Sequence, residues 1–412
     1  MEKKIVILGC LDTKGSEYAF IRDFIKKEGF QTLVVDVGII NPPVFDPDIT
    51  RYEVAFAVGE DLKKLLDEGS SREKLTSIMA EGAKKILTGL VKKEEVHGII
   101  SCGGTQGTTL STNVMRSLPV GFPKVMVSTI ASGNTANFVG LKDIMMLNSV
   151  ADILGLNRIT RKILREAAGA ICGMVKIGTE TIDSTKQLIA ITNVGITTLG
   201  AMKAKEILEN AGFETVVFHA VGTGGRAMEE FIKEGQIDGV FDLVTIEVMQ
   251  QLTGGILASD DDRMTVAGKF GIPQVIAPGG IPCTTFSPHE SIPPHLKDRK
   301  YTRHNPMFTN ILNNKDEFIS LAKEQAKRVN ESKGPIEWFI PMNGFCSNST
   351  IGEPFYDLES NEAYVETLRK YLRKDIPIHI YKLDINDPGF VQPMAERLIK
   401  LIKDHKQKKE ES

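Results

Sequence analysis

The feature that most constrains this chain is a restart: an apolar run, an amphipathic stretch and a second apolar run near the beginning recur about 183 residues later. Gly29-Phe30-Gln31-Thr32-Leu33-Val34-Val35 is answered by Gly212-Phe213-Glu214-Thr215-Val216-Val217-Phe218, with glycine, phenylalanine and threonine in register. Later pieces keep the same order. His97-Gly98-Ile99-Ile100 pairs with Asp238-Gly239-Val240-Phe241, and Gly121-Phe122-Pro123-Lys124-Val125 with Gly271-Ile272-Pro273-Gln274-Val275. Turn glycines and valine-rich runs are common to any two βαβ units, but matched segments in one order read as duplication.

Within each half the pattern alternates between strand and helix periods. Apolar runs at 5–9, 31–36, 99–102 and 125–128 predict strands, and 15–28 predicts a helix. The stretch 71–91 opens on Ser70-Ser71-Arg72-Glu73, a capping signal, and continues as a crossover helix should. The second half predicts strands at 187–193 and 215–219 around a helix at 201–210. It ends in a strand-helix-strand-helix set at 336–341, 362–373, 378–383 and 388–402, then a solvated tail at 403–412. With 412 residues, the chain exceeds the roughly 250–300 at which one core stops growing. The expected architecture is α/β, two similar doubly wound parallel-sheet (Rossmann-like) domains. They span 1–180 and 181–412, the second carrying an irregular, proline-rich excursion near 287–306.

The balance of 50 basic and 53 acidic side chains gives no field that selects a nucleic acid or an anionic membrane. The opening apolar run is too short for a secretory segment or a membrane span, so the expected location is cytoplasmic. Five cysteines, at 10, 102, 172, 283 and 346, are odd in number and lack CxxC spacing. Neither a zinc site nor a disulfide framework follows, and no metal-ligating residues are assigned. Cys10 and Cys102, at strand ends, read as small core hydrophobes or as nucleophilic thiolates beside helix N-termini.

Three strand-to-helix turns carry candidate chemistry. In the first, Asp12-Thr13-Lys14-Gly15-Ser16, backbone amides and Thr13 offer donors, Lys14 neutralises a phosphate, and Asp12 orients the lysine or caps the helix. Asp36, ending the next strand, suits a ribose hydroxyl. The second turn is Gly103-Gly104-Thr105-Gln106-Gly107-Thr108, either a tight turn or a cradle of bare amides for an anion. Ser128 heads a further group of hydroxyls at a neighbouring strand end. The third is Gly222-Thr223-Gly224-Gly225-Arg226-Ala227, with Asp242 about twenty residues on. It matches a dinucleotide fingerprint and keeps an NAD(P)-dependent oxidoreductase as an alternative, although it follows the second strand of its half rather than the first. Arg303 and His304, in the excursion, are candidate catalytic groups or members of an exposed polar turn. No Walker loop, HExxH, G-x-S-x-G or EF-hand pattern is present.

Taken together, Gly9-Cys10-Leu11-Asp12-Thr13-Lys14-Gly15, Gly103-Gly104-Thr105-Gln106-Gly107-Thr108, Pro123-Lys124-Val125-Met126-Val127-Ser128-Thr129, Gly155-Leu156-Asn157-Arg158, the stretch from His219 to Glu229 and Arg303-His304-Asn305-Pro306 resemble the Tm-one-like ATP-binding family. The likeness spans essentially the whole chain. It implies a two-domain α/β homodimer that binds ATP, with Mg²⁺ as a candidate companion of the triphosphate. It places the nucleotide against Asp12, Thr13, Lys14, the Gly103 to Thr108 loop, Ser128 and Arg161, with Arg72 as an addition. The family's loop more often reads glycine-glycine-serine-glycine-glycine, so Gln106 is a departure, as is Asp384 where histidine is frequent. The expected function is an ATP-dependent enzyme whose second domain, through Gly222, Gly224, Gly225, Arg226, Arg303 and His304, binds a small metabolite at the cleft between domains. The alternative is a non-catalytic, ATP-gated module that engages a protein partner.

Overall fold

The computed structural model describes residues 3–178 and 185–410. The chain divides into two compact units, Met1–Asp183 and Ser184–Ser412. The expected boundary near 180 lies outside the described residues.

The first unit is built on five strands: β1 (Lys4–Gly9), β2 (Gln31–Asp36), β3 (Gly98–Gly103), β4 (Lys124–Ser128) and β5 (Met145–Asn148). They are parallel, in the order β2-β1-β3-β4-β5. Alternation along the strands serves two apolar layers. Val6, Leu8 and Ile99 face a core completed by helices Arg51–Phe56, Leu62–Asp67, Arg72–Lys92 and Thr105–Met115. Ile5, Ile7 and Ile100 face another completed by Leu11–Lys27 and Arg158–Ile177. Burial on both faces is what makes these strands read as continuous apolar runs rather than alternating ones. Ser71 caps its helix by accepting from the Lys74 amide at 3.2 Å, as the sequence predicts.

The second unit repeats the plan and extends it. Strands β6 (Leu188–Asn193), β7 (Glu214–His219), β8 (Gly239–Val244) and β9 (Gln274–Gly279) lie in the order β9-β8-β6-β7, the same connectivity as β4-β3-β1-β2. The register repeats as well: Lys4 pairs with Gln31 and Leu188 with Glu214, while Ile5 pairs with Gly98 and Ile189 with Gly239. Between β9 and the end come β10 (Cys283–Phe286), β11 (Tyr301–Asn305), β12 (Phe308–Leu312), β13 (Ile336–Pro341) and β14 (Ile378–Tyr381). The last two widen the parallel sheet to six strands, and β10-β12-β11 form a separate antiparallel sheet.

One sequence expectation is corrected and another extended. The excursion at 287–306 is not wholly irregular: after two short 3₁₀ turns it enters β11, whose residues are mostly exposed and so lack the apolar signature of a strand. The expected solvated tail is helical rather than irregular over 403–410, because helix Pro388–Glu410 continues through it. That stretch is rich in lysine, glutamine and glutamate, all good helix formers, so polarity alone does not end the helix.

One ionic cluster holds the middle of the second unit. The fully buried Arg263 guanidinium donates to both Asp242 oxygens at 2.6 and 2.7 Å and to Glu247 at 2.7 Å. Glu229, also buried, accepts from the Met264 amide at 2.8 Å, and burial pushes its carboxyl up to about 8. One cation is thus shared by two carboxylates, and burial favours the protonated form of the third. Because Glu229 binds its proton more tightly folded than unfolded, its contribution to stability is full at acidic pH and is lost as pH rises from the ordinary carboxylate range toward 8. Glu229→Gln, which keeps the Met264 bond, is therefore expected to gain stability over the parent progressively between pH 5 and 8; a pH-independent difference in denaturant midpoints contradicts the assignment. Arg263→Met strands Asp242 and Glu247 and is expected to cost about 3–5 kcal/mol in urea unfolding.

Candidate functional site

At the carboxyl ends of β1, β2 and β3 lies a cleft of about 270 Å³, where open parallel sheets place their ligands. It brings together Asp12, Thr13 and Lys14 from one turn, Gly103, Gly104, Thr105, Gln106 and Gly107 from another, and Arg72 from the start of a third helix. Val37, Ile39, Ile40 and Leu110 supply an apolar wall. The sequence gives no warning of that wall, since apolar residues just past a strand are indistinguishable from core.

The helix Thr105–Met115 begins on Gly104, and no side chain caps it. The first amides of a helix have no intrahelical acceptor, so those of the opening residues are available to an anion. Gly103 answers to packing, since a Cβ there would come within 3.0 Å of the Gly107 Cα, but Gly104 and Gly107 do not. A Cβ on Gly104 would meet nothing closer than 3.8 Å and one on Gly107 nothing closer than 3.7 Å, and neither residue has a positive φ.

The turn after β1 is arranged differently from expectation. The Thr13 and Lys14 amides donate back to the Cys10 carbonyl at 3.3 and 3.0 Å, and the Leu11 amide donates to Asp36 at 3.1 Å. Its contribution to the cleft is therefore made by side chains. Lys14 departs from helical geometry, with φ −133° and ψ 28°, and its ammonium donates to the Ile153 carbonyl. Asp12 Oδ2 accepts from the amides of Ile40 and Asn41 at 2.8 and 3.2 Å, while Oδ1 is buried without a partner. Among the described residues the Arg72 guanidinium has no ion-pair partner.

Other predicted residues stand outside the cleft. Thr108 and Ser128 are fully buried beneath the loop, their hydroxyls 2.7 Å apart, and tie the helix start to the end of β4. They hold the loop in place from below rather than lining the space above it. Arg161 is exposed on helix Arg158–Ile177, its guanidinium 5.4 Å from the Phe20 ring centroid, and does not join Lys14 in the cleft. Asp36 is buried, its Oδ1 accepting from the Leu11 and Gly38 amides and its Oδ2 without a partner; burial raises its carboxyl despite these donors, and it does not line the cleft as a ribose ligand would. Cys10 and Cys102 do line it, but burial pushes both thiols up to about 12, which removes the nucleophilic-thiolate reading.

In the second unit the fingerprint turn is occupied from within. The amides of Gly222 and Gly225 donate to Glu247 Oε1 at 2.6 and 3.1 Å, so a carboxylate of the chain sits where a phosphate would. Arg226 turns back to the Gly222 carbonyl at 3.2 Å, and Asp242, the candidate ribose ligand, is bound to Arg263. The glycines here answer to packing. A Cβ on Gly224 would come within 1.8 Å of the His219 carbonyl oxygen, and one on Gly225 within 2.1 Å of Glu247. Arg303 is exposed on β11, whereas His304 lines a separate cavity within this unit. Among the described residues no group of three or more histidine, cysteine, aspartate or glutamate side chains could hold a metal, and no helix is long and apolar enough to cross a membrane.

Comparison with known proteins places this geometry in a family. The uncharacterised protein family UPF0261 matches through its N-terminal domain model over residues 3–180 and its C-terminal domain model over residues 186–402. A UPF0261 protein of Clostridium tetani is 43% identical, covering 98% of this chain and 100% of its own. The tomato (Solanum lycopersicum) ToMV susceptible protein tm-1(GCR26) is 29% identical over 97% of this chain, which spans 56% of the tomato protein. Among solved structures, UDP-N-acetylglucosamine 2-epimerase from Rickettsia bellii aligns over 98% of this chain and 97% of its own at 8% identity, with a TM-score of 0.25, too low to carry an argument. The two domain models and the full-length relatives agree with the likeness first seen in the turns, and the chain belongs to the UPF0261 family.

Proposed function

We propose that the first unit binds ATP in the cleft at the ends of β1, β2 and β3, and that the protein is an ATP-dependent enzyme acting on a small molecule. The observation that carries the nucleotide reading is the pair Gly104 and Gly107: bare positions without crowding or positive φ, on an uncapped helix start that lines a cleft. A backbone kept clear of side chains lets phosphate oxygens approach amide hydrogens closely. Lys14 and Arg72 supply the countercharge, and the wall of Val37, Ile39, Ile40 and Leu110 suits an adenine ring. Asp12 is the carboxylate of the lining, and its unpartnered Oδ1 fits a Mg²⁺ brought in by the triphosphate. That ion ordinarily relies on one or two carboxylates plus the substrate's own phosphates. When bound it neutralises phosphate charge; positioning falls to the Gly104 to Gly107 amides and Lys14.

Thermal unfolding with and without nucleotide tests this directly, since a ligand at 100 times its dissociation constant adds about 2.7 kcal/mol to the folded state. ATP is expected to raise the melting temperature and NADH to leave it unchanged; the reverse result removes the proposal. Lys14→Ala is expected to weaken ATP about tenfold or more, the scale of one lost charge-assisted hydrogen bond. Gly107→Ala separates ligand contact from stability. The unliganded protein should melt no lower, because alanine is the better helix former and has room, while the ATP-induced shift shrinks. Consumption of ATP in the presence of small metabolites distinguishes the enzyme from a nucleotide-gated interaction module, which would be stabilised by ATP without turning it over.

A further inference from the structure

The second unit contains a cavity of about 250 Å³ that the nucleotide reading does not use. It opens at the carboxyl ends of β6 and β7, the position that holds the cleft in the first unit. Residues of β10, β11 and β12 line it as well, so the antiparallel sheet forms part of its wall. That sheet is well anchored. Buried Gln250 donates to the Cys283 carbonyl at 3.1 Å and accepts from the Thr285 amide at 3.0 Å, fixing β10 to the helix Ile246–Thr253.

Most of the lining is apolar: Val194, Ile196, Val221, Ile246, Leu257 and Phe308. The polar exceptions are His219, His304, Thr285 and Asn310. His219 is the last residue of β7. His304 sits in a β-bulge: Arg303 pairs with Thr309 and Asn305 with Phe308, leaving the histidine between them without a ladder partner. Bulges of this kind re-aim a side chain and concentrate beside functional sites. Thr285 donates its hydroxyl to Asn310 Oδ1 at 2.9 Å, which occupies the asparagine's acceptor and leaves its amide nitrogen as a donor. Among the described residues neither imidazole has a hydrogen-bond partner.

Each imidazole thus offers an N–H and the Asn310 amide two more, and no aspartate or glutamate lines the space to repel an anion. No lysine or arginine lines it either, so a phosphate dianion would enter without countercharge, and the amides that would cradle one belong to Glu247. We propose that this cavity binds a small monocarboxylate with an apolar body, its carboxylate accepting from His219, His304 and the Asn310 amide and its body packed against Phe308 and the aliphatic wall. The proposal deepens the enzyme reading by giving the chemical class of the second molecule, and it is tested without nucleotide so that either reading fails separately.

Isothermal titration of the full-length protein with benzoate and with 3-methylbutanoate is the test, alongside benzyl alcohol and inorganic phosphate. At least one carboxylate is expected to bind measurably, with benzyl alcohol and phosphate much weaker. His304→Ala, on the exposed hairpin, and His219→Ala should each weaken that carboxylate about tenfold, whereas His295→Ala, an exposed histidine outside the lining, should bind as the parent does. Unchanged melting temperatures confirm that the variants are folded, and His219→Gln replaces His219→Ala if that variant is not. Absence of binding by both carboxylates, binding unaffected by the His304 and His219 substitutions, or equal affinity for benzyl alcohol or phosphate overturns the proposal.

Discussion

A helix that starts at the end of a parallel strand exposes amides that need an acceptor, and how that need is met sets the two halves of this protein apart. In the second half the acceptor is internal. Glu247 takes the Gly222 and Gly225 amides while Arg263 takes Glu247, so the turn, the helix after β8 and the loop before Val266 are joined through one guanidinium. Desolvating that many charges is expensive unless each is paired and hydrogen-bonded. Asp242 and Glu247 meet the condition by sharing Arg263, while burial pushes the Glu229 carboxyl up and its Oε2 is left without a partner. In the first half the helix from Thr105 has no such carboxylate, and its opening amides face a cleft.

Much of this was legible because parallel strands buried on both faces are written as short unbroken apolar runs. Strands β1, β2 and β13 fall at or within one residue of the predicted runs, and the repeat of strand order follows the echo around Gly29 and Gly212. The turns at Asp12 and Gly103 could be placed at one sheet edge from connectivity alone. What could not be read was the destination of each polar group. Ser128 and Arg161 share residue types with groups that line the cleft, yet one is buried under its loop and the other lies over Phe20. Arg263 follows three aspartates, and nothing in that local charge pattern tells that it is fully buried. Strand β11 was missed for a related reason: its residues face solvent, so periodicity carries no signal there.

The two glycine-rich turns show why a motif is decided by its neighbours. Gly222 to Ala227 fits a dinucleotide fingerprint letter by letter, and each letter has another use here. Gly224 makes room for the His219 carbonyl, Gly225 for Glu247, and Arg226 closes on its own turn. Gly104 and Gly107 match no complete fingerprint, yet nothing inside the protein requires their side chains to be missing. Spacing reports where a backbone must be slim. Whether a protein atom or a ligand fills the room depends on residues far away in sequence, Glu247 in one case and none in the other.

This difference bears on how a duplicated scaffold acquires two kinds of pocket. A carboxylate placed permanently at a helix start removes the strongest anion-binding element of the fold and leaves the adjacent space to be defined by whatever covers it. In the second unit that cover is the antiparallel sheet, which brings Phe308 and the bulged His304 over apolar ends of the parallel strands. In the first unit the corresponding space keeps Lys14, Arg72 and bare amides. Glu247 fills the turn after β7, whose counterpart in the first unit follows β2, whereas the bare-amide turn follows β3, so the two spaces differ in which turn is open and in what covers them. The register of the first two strands of each half is kept through these differences.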